Sequence, residues 1–289
     1  MVALGASGRV GVTATMSRRG QRPTSVRRRA LAGRPATAVV SWLAAAALLG
    51  IWQLVTAAVA HPYFPSPVMI VDTAWQIWFS GSDAWRDDIL PSLGRLLTGW
   101  LLAAVIGIPA GIALGRSQTA TGYASLVLFL ARATPATLLL PVFLLVFGIG
   151  PAMETAIILW GSIWPILLNT IDGARAVDDV QTDTARAFRV GRRQWIMLVV
   201  LPAAGPRIVN GLRMSLGLAM ILMVVSEMVG TGSGIGFRLT AAQNQFATVE
   251  MWAWIVLISV LGYVLNTLLR AVERRVLAWH IGYTRQANR

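Results

Sequence analysis

Leu96-Leu97-Thr98-Gly99-Trp100-Leu101-Leu102-Ala103-Ala104-Val105-Ile106-Gly107-Ile108-Pro109-Ala110-Gly111-Ile112-Ala113-Leu114 runs for nineteen residues without a charge. A bilayer core needs about 20 apolar residues per helix, so this run is long enough to cross one. Its glycines, Gly99, Gly107 and Gly111, continue to Gly115 at steps of four and eight, which puts small residues on one face and lets a second helix approach. Five more runs of this kind follow the same logic, at residues 38–60, 123–147 (with Pro135 and Pro141), 153–171 (with Pro165), 212–229 and 251–272. The expected fold is therefore all-α and polytopic, with six transmembrane helices.

The composition agrees. Of 289 residues, 56% are hydrophobic and 13% charged, and the mean hydropathy is +0.64. All 25 basic residues are arginine, and the net charge is +13. In a soluble chain that charge would suggest nucleic acid. Here eight arginines lie in residues 1–37, which contain no acid, and the others punctuate apolar runs, so nucleic acid is not expected as a partner. Without lysine the chain has no ordinary phosphate-binding P-loop and no Schiff-base nucleophile. Without cysteine, and with only His61 and His280, it has no cysteine or three-histidine zinc site, and no metal site is expected.

Orientation follows from the arginines. Residues 172–213 hold seven, and Arg116 follows the second run. The C-terminal stretch holds Arg270, Arg274, Arg275, Arg285 and Arg289, whereas the alternate connections hold only Arg86, Arg238 and the boundary residue Arg95. Basic residues are retained on the cytoplasmic side, so both termini are expected there. Residues 1–37 read as a disordered basic tail, too long and too basic for a cleaved signal peptide. Residues 38–60 are the first transmembrane helix. Residues 61–95 form an external segment with an amphipathic stretch around Ile70, Ala74, Ile77 and Trp78, and with Trp75 and Trp85 suited to the interface. Residues 96–272 are the core, and 273–289 a second cytoplasmic tail.

The loop 172–213 is too patterned for a passive linker. Thr182-Asp183 offers a helix N-cap, and Ala185, Ala187 and Phe188 give the short helix an apolar tip among Arg186, Arg189, Arg192 and Arg193. Leu201-Pro202 and Gly205-Pro206 then read as breaks before the fifth run. Such a helix suits insertion into a groove on another protein, or lying on the inner leaflet held by anionic lipid. The residues by themselves leave both readings open.

The same residues resemble a known motif. Asp183-Thr184-Ala185, with Val199-Val200-Leu201-Pro202 at the matching distance, resembles the EAA loop of ABC-importer permeases: Glu-Ala-Ala, three residues, Gly, nine residues, then an aliphatic residue, any residue, Leu-Pro. Arg189 stands where that family has glycine, with Gly191 two residues on, so either Gly191 makes the turn or the turn is built differently. Other stretches are similar to the sulfonate/nitrate/taurine branch: Phe64-Pro65-Ser66-Pro67, Ser92-Leu93-Gly94-Arg95, Arg132-Ala133-Thr134-Pro135, and Glu227-Met228 with Gly234-Ile235-Gly236.

The resemblance implies a type I ABC-importer permease fold in the inner membrane, acting as a homodimer with a cytoplasmic ATPase dimer. An extracytoplasmic binding protein would deliver a small anion such as a sulfonate, taurine or nitrate. It implies no cofactor in this chain, with ATP and Mg on the partner ATPase, and no catalytic residue. It also implies a coupling helix at Asp183, Thr184, Ala185, Arg186, Ala187, Phe188 and Arg189, with Gly191, Leu201 and Pro202 completing the loop. A thiamine precursor or another neutral or cationic nutrient is the alternative cargo.

For the pathway or gate the candidates are Arg132, Ser226, Glu227, Met228, Gly232, Ser233 and Gly234. An ionisable residue inside a span is a functional candidate by default. Glu227 and Arg132 fall at similar depths, so they read either as a salt bridge between helices or as lining for the solute, and the glycine-rich run 232–234 reads as a gate or a plain turn. An intramembrane enzyme would need a paired acid–base or metal constellation, which the spans lack. A stand-alone secondary transporter would leave the loop 172–213 unexplained and would be expected to show repeated halves, which are absent.

Overall fold

The structure is a computed structural model describing residues 34–59, 61–80, 83–229 and 232–277. The basic tail read over residues 1–37 lies outside these except for its last four residues, and most of the C-terminal tail, with His280, lies outside them too. The regular elements of the described residues are all helical, with no strand among them.

Helix α1 (Arg34–Val59) begins four residues before the expected run. Its residues up to Leu48 form one compact unit, with Trp42, Leu43 and Leu48 exposed, as suits a lipid-facing helix. The second unit starts at Leu49 and holds all other elements. There α2 (Pro67–Phe79) starts where Ser66 accepts a hydrogen bond from the Met69 N–H at 3.4 Å, with Pro67 in the first turn. Ile70 and Ala74 are buried, and Ile77 and Trp78 pack half-buried against the core, which is the apolar face read from the sequence. Trp85 donates to the Trp78 carbonyl at 2.8 Å.

The core is a layer of three long helices: α3 (Leu90–Gly115), α6 (Pro151–Arg175) and α9 (Leu201–Glu227). Glycines set how closely they pack. A Cβ at Gly99 would stand 2.7 Å from Ile158, one at Gly111 2.6 Å from Thr170, and one at Gly115 2.7 Å from the Ile171 carbonyl, so α3 meets α6 nearly backbone to backbone. Gly173 and Gly211 do the same between α6 and α9. Trp100 of α3 crosses to α9 and donates to the Ser215 hydroxyl at 2.8 Å. In lipid, where apolar burial between helices gains little, this close packing is the main source of association. Helix α11 (Thr248–Val276) adds Trp254 and Leu257 to the same core.

Leu201-Pro202 was expected to break the chain, and a second Leu-Pro step stands at Leu90-Pro91. Both instead lie inside continuous helices, each preceded by a wide π turn, Trp85–Ile89 before Leu90-Pro91 and Ile196–Val200 before Leu201-Pro202. The Leu90 N–H reaches back five residues to Trp85 O, and Leu201 likewise to Ile196 O. Proline cannot donate to the carbonyl four residues back, and its ring collides with that carbonyl. Widening the preceding turn moves those carbonyls aside and lets the helix continue. The fifth span therefore starts at Arg192, in the short helix α8 (Arg192–Trp195), and ends at Glu227. Pro206, read as a break, sits inside α9. The second span likewise starts at Trp85.

The third run breaks where proline does act. Helix α4 (Gln118–Ala133) ends at Thr134, whose ψ of 117° is the extended state imposed on a residue before proline. After Pro135 a 3₁₀ turn (Ala136–Leu139) leads into α5 (Leu140–Phe147), and the two helices meet at 83°. By length and composition five described helices can cross a membrane, and six if this bent pair is one span.

Candidate functional site

The loop 172–213 contains the expected short helix, α7 (Asp179–Ala187), but it begins earlier than the sequence implied. Its N-cap is Asp178, whose carboxylate accepts from the Val180 N–H at 3.3 Å, rather than Thr182. Asp183 and Arg186 pair at 3.2 Å on the exposed surface, an arrangement worth little in water. Phe188, at the C-cap, is 80% exposed. The turn after it resolves the question of the missing glycine. Arg189 adopts φ +52°, while Gly191 has an ordinary φ of −62° and caps α8. Arg189 thus holds the left-handed conformation for which glycine is the default, and Gly191 does not replace it. The Val190 N–H closes the turn on the Ala185 carbonyl at 2.9 Å.

This end of the bundle is arginine-rich for a structural reason as well. Helix α6 ends here, and its last carbonyls need donors. Arg116 donates to Ala174 O at 3.3 Å and Arg207 to Asp172 O at 2.6 Å. Arg213 pairs with Glu273, tying α9 to α11.

At the opposite end lies a buried charge cluster. Arg95, with its side chain 10% exposed, pairs with Glu154 at 3.0 Å and Glu227 at 3.2 Å, both carboxylates fully buried. It also donates to the Ser233 carbonyl at 3.2 Å and the Ser233 hydroxyl at 2.8 Å. Glu227 accepts from the Gly236 N–H at 2.9 Å and from the Ser92 hydroxyl. Asp88, also buried, accepts from the Gly234 N–H at 3.0 Å and from Arg238 at 2.7 Å. One network thereby fixes the ends of α3, α6 and α9 and the turn before α10 (Ile235–Asn244). Gly234 is required at that turn, because its φ is +116° and a Cβ would stand 2.5 Å from the Glu227 carboxyl carbon.

The third feature is a cavity of about 510 Å³ at the 83° break, lined by Arg132, Thr134, Thr137, Trp164, Asn169 and residues of α9 such as Met214. Arg132 does not pair with Glu227. Its guanidinium lies 5.5 Å from the Phe129 ring, it is exposed, and no carboxylate lines the cavity with it. Asn169 accepts from Asn210 at 3.0 Å, bridging α6 and α9.

Residues 103–278 match the family described as binding-protein-dependent transport system inner membrane component. The chain belongs to that family. Relatives support the same placement. The chain is 33% identical over 240 residues to a putative aliphatic sulfonates transport permease protein of Bacillus subtilis, covering 82% of this chain and 86% of that one. It is 31% identical to the taurine transport system permease protein of Escherichia coli, covering 79% and 85%. It is 30% identical to a nitrate import permease protein of Leptolyngbya laminosa, covering 80% and 84%. The fold is shared with the inward facing MetNI methionine ABC transporter, at a TM-score of 0.56 and 21% identity, covering 65% of this chain and 94% of that chain. The protein is therefore an ABC-importer permease, similar to those named for sulfonates, taurine and nitrate, and a multi-pass component of the inner membrane that works with an ATPase and a binding protein.

In this permease the sequence-derived pathway candidates fall into two places. Glu227, Ser233 and Gly234 join the buried charge cluster around Arg95, and Ser226, buried beside them, donates to its own helix at Met223 O. Met228 is partly exposed at the end of α9, and Gly232 supplies another positive φ in the turn. Arg132 lies apart, at the cavity. The turn read between the fifth and sixth spans contains helix α10, which no periodicity announced. Sequence reasoning missed Arg95, Glu154, Asp88 and Arg238. A signal existed: Glu154 and Glu227 lie in apolar runs, such acids need a buried cation, and Arg95 and Arg238 are two of only three bases on that side.

Proposed function

We propose that this permease forms the pathway for a small oxyanion, a sulfonate, taurine or nitrate, and passes the work of ATP to that pathway through α7. The observation that carries the anion reading is Arg132, a cation at the break of a span in a cavity without a carboxylate. The cargoes named for the relatives, sulfonates, taurine and nitrate, support it. In the proposed arrangement two copies face each other across this cavity, and both termini and α7 are cytoplasmic. The Phe188 tip of α7 seats in the ATPase, which holds ATP and Mg and performs all hydrolysis. The binding protein meets the opposite end.

Purified complex in proteoliposomes tests this by ATP-driven uptake of labelled sulfonate, taurine and nitrate, with thiamine as the cationic control. Arg132→Gln should lower the anion uptake rate by about 10- to 100-fold, the value of a charge-assisted hydrogen bond, without changing affinity at the binding protein. Wild-type uptake by Arg132→Gln, or uptake of thiamine alone, contradicts the anion reading. Replacing residues 183–189 with a flexible linker should abolish uptake and release the ATPase; retention of both refutes the role of α7.

A further inference from the structure

Beneath α7 lies a second cavity, of about 730 Å³, between the end of α3, α7 and the start of the span at α8. Its composition divides by depth. At the rim stand Arg116, Arg186 and Arg192, with Ser117 and Thr182 and no carboxylate. Below them lie Ile108, Pro109, Ile112 and Ala113 of α3, faced by Ile196 and Leu201. Arg116 follows the last residue of α3, and Ile108 lies eight residues back, roughly 12 Å deeper at 1.5 Å per residue. That separation spans the step from the headgroup layer, about 5–7 Å thick, into the hydrocarbon.

Arg116 is held in place. It donates to Ala174 O at 3.3 Å and to the Thr182 hydroxyl at 3.4 Å, and its guanidinium stands 5.8 Å from the Trp195 ring. Trp195 beside it is half-buried, and tryptophan is enriched where membrane proteins meet the interface. Helix α7 presents two different faces. Thr182, Ala185 and Arg186, spaced three and four apart, share the face that lines the cavity. Asp183, Thr184, Ala187 and the exposed Phe188 lie outside it. A molecule in the cavity would therefore support α7 from the membrane side while its other face stays free.

We propose that this cavity binds one anionic phospholipid, its phosphate against Arg116, Arg186 and Arg192 and its acyl chain along Ile108, Ile112 and Ile196. Charge complementarity selects the occupant: Arg116 and Arg192 face the rim with no acid among the lining residues, Arg186 beside them shares its charge with the exposed Asp183, and the apolar floor wants a chain. The binding itself does not depend on α7 being the coupling helix. If that reading also holds, the lipid sets the height of α7 above the bilayer and makes transport depend on anionic lipid content.

The test uses the full chain in phosphatidylcholine micelles with phosphatidylglycerol carrying a photoactivatable acyl chain, and maps the label by peptide mass spectrometry. Label should appear on the peptides containing residues 108–113 and 196–201, and unlabelled phosphatidylglycerol should displace it. Phosphatidylcholine and inorganic phosphate should not. Arg116→Gln with Arg192→Gln should weaken displacement by roughly fivefold for each arginine removed. Ala113→Trp, which fills the floor and leaves the arginines in place, should remove the label from 196–201; should the arginine variant fail to fold, this variant and the wild-type displacement decide. Equal displacement by phosphatidylcholine would mean only bulk lipid packs there, and displacement by phosphate would mean a free-anion site. A dimeric mass in these micelles, with lipid label absent from these peptides, would mean a second chain fills the cavity. Each of these results overturns the proposal.

Discussion

The sharpest stability prediction concerns Arg95. Its one guanidinium neutralises two carboxylates that are fully buried, Glu154 at 3.0 Å and Glu227 at 3.2 Å. Arg95→Met leaves both acids without that cation and no more than about 6 Å apart, a distance at which like charges interact strongly. Removing one partner of a buried pair costs about 3–5 kcal/mol, because the charge left behind stays desolvated. The two pairs share one arginine, so their losses do not simply add. The expected loss is about 4 kcal/mol, a roughly thousandfold shift toward the unfolded chain. Reversible denaturant titration of the purified chain in micelles, followed by tryptophan fluorescence, measures it. The decisive comparison is Arg95→Met combined with Glu154→Gln and Glu227→Gln. Replacing a whole buried ionic group by neutral residues is often close to neutral, so this variant should recover at least half of the loss. A single-variant cost below about 1 kcal/mol, or a triple variant as unstable as the single one, would refute the reasoning.

Two further substitutions test the backbone arguments. Arg189→Gly removes a side chain from a residue at φ +52° and should stabilise the chain by about 1 kcal/mol in the same titration; destabilisation would mean the arginine side chain matters more than its backbone state. Gly111→Ala puts a Cβ 2.6 Å from Thr170 and should cost about 1–3 kcal/mol, whereas Gly217→Ala, with nothing within 4 Å, should gain about 1 kcal/mol from helix propensity; equal effects would contradict glycine-set packing of α3 on α6.

Apolar run length made the spans legible, and glycine spacing located the face of α3 that packs on α6. Two things were misread locally. Leu201-Pro202 looked like a break because proline breaks helices in water, whereas a preceding π turn absorbs it here. Thr134-Pro135, one proline among several in sequence, is the site of the real bend. Similar depth along the chain offered Arg132 as one possible partner of Glu227. Glu227 instead ends α9 at the far end of the bundle, where Arg95 reaches it. Ion partners are set by which helices touch, and a single sequence carries no record of that. The short helix α7 was legible because capping residues, an apolar tip and surrounding arginines coincided, although its first turn lay four residues earlier than expected.

The central claim is that α7 moves with the ATPase. The chain has no cysteine, so Gln181→Cys, in an exposed position on the first turns of α7, places one spin label on each copy of the assembled complex. The distance between the two labels, measured by pulsed electron paramagnetic resonance with and without ATP, should shorten when ATP closes the ATPase pair. A distance unchanged by ATP, in a complex that still imports its solute, would contradict the account.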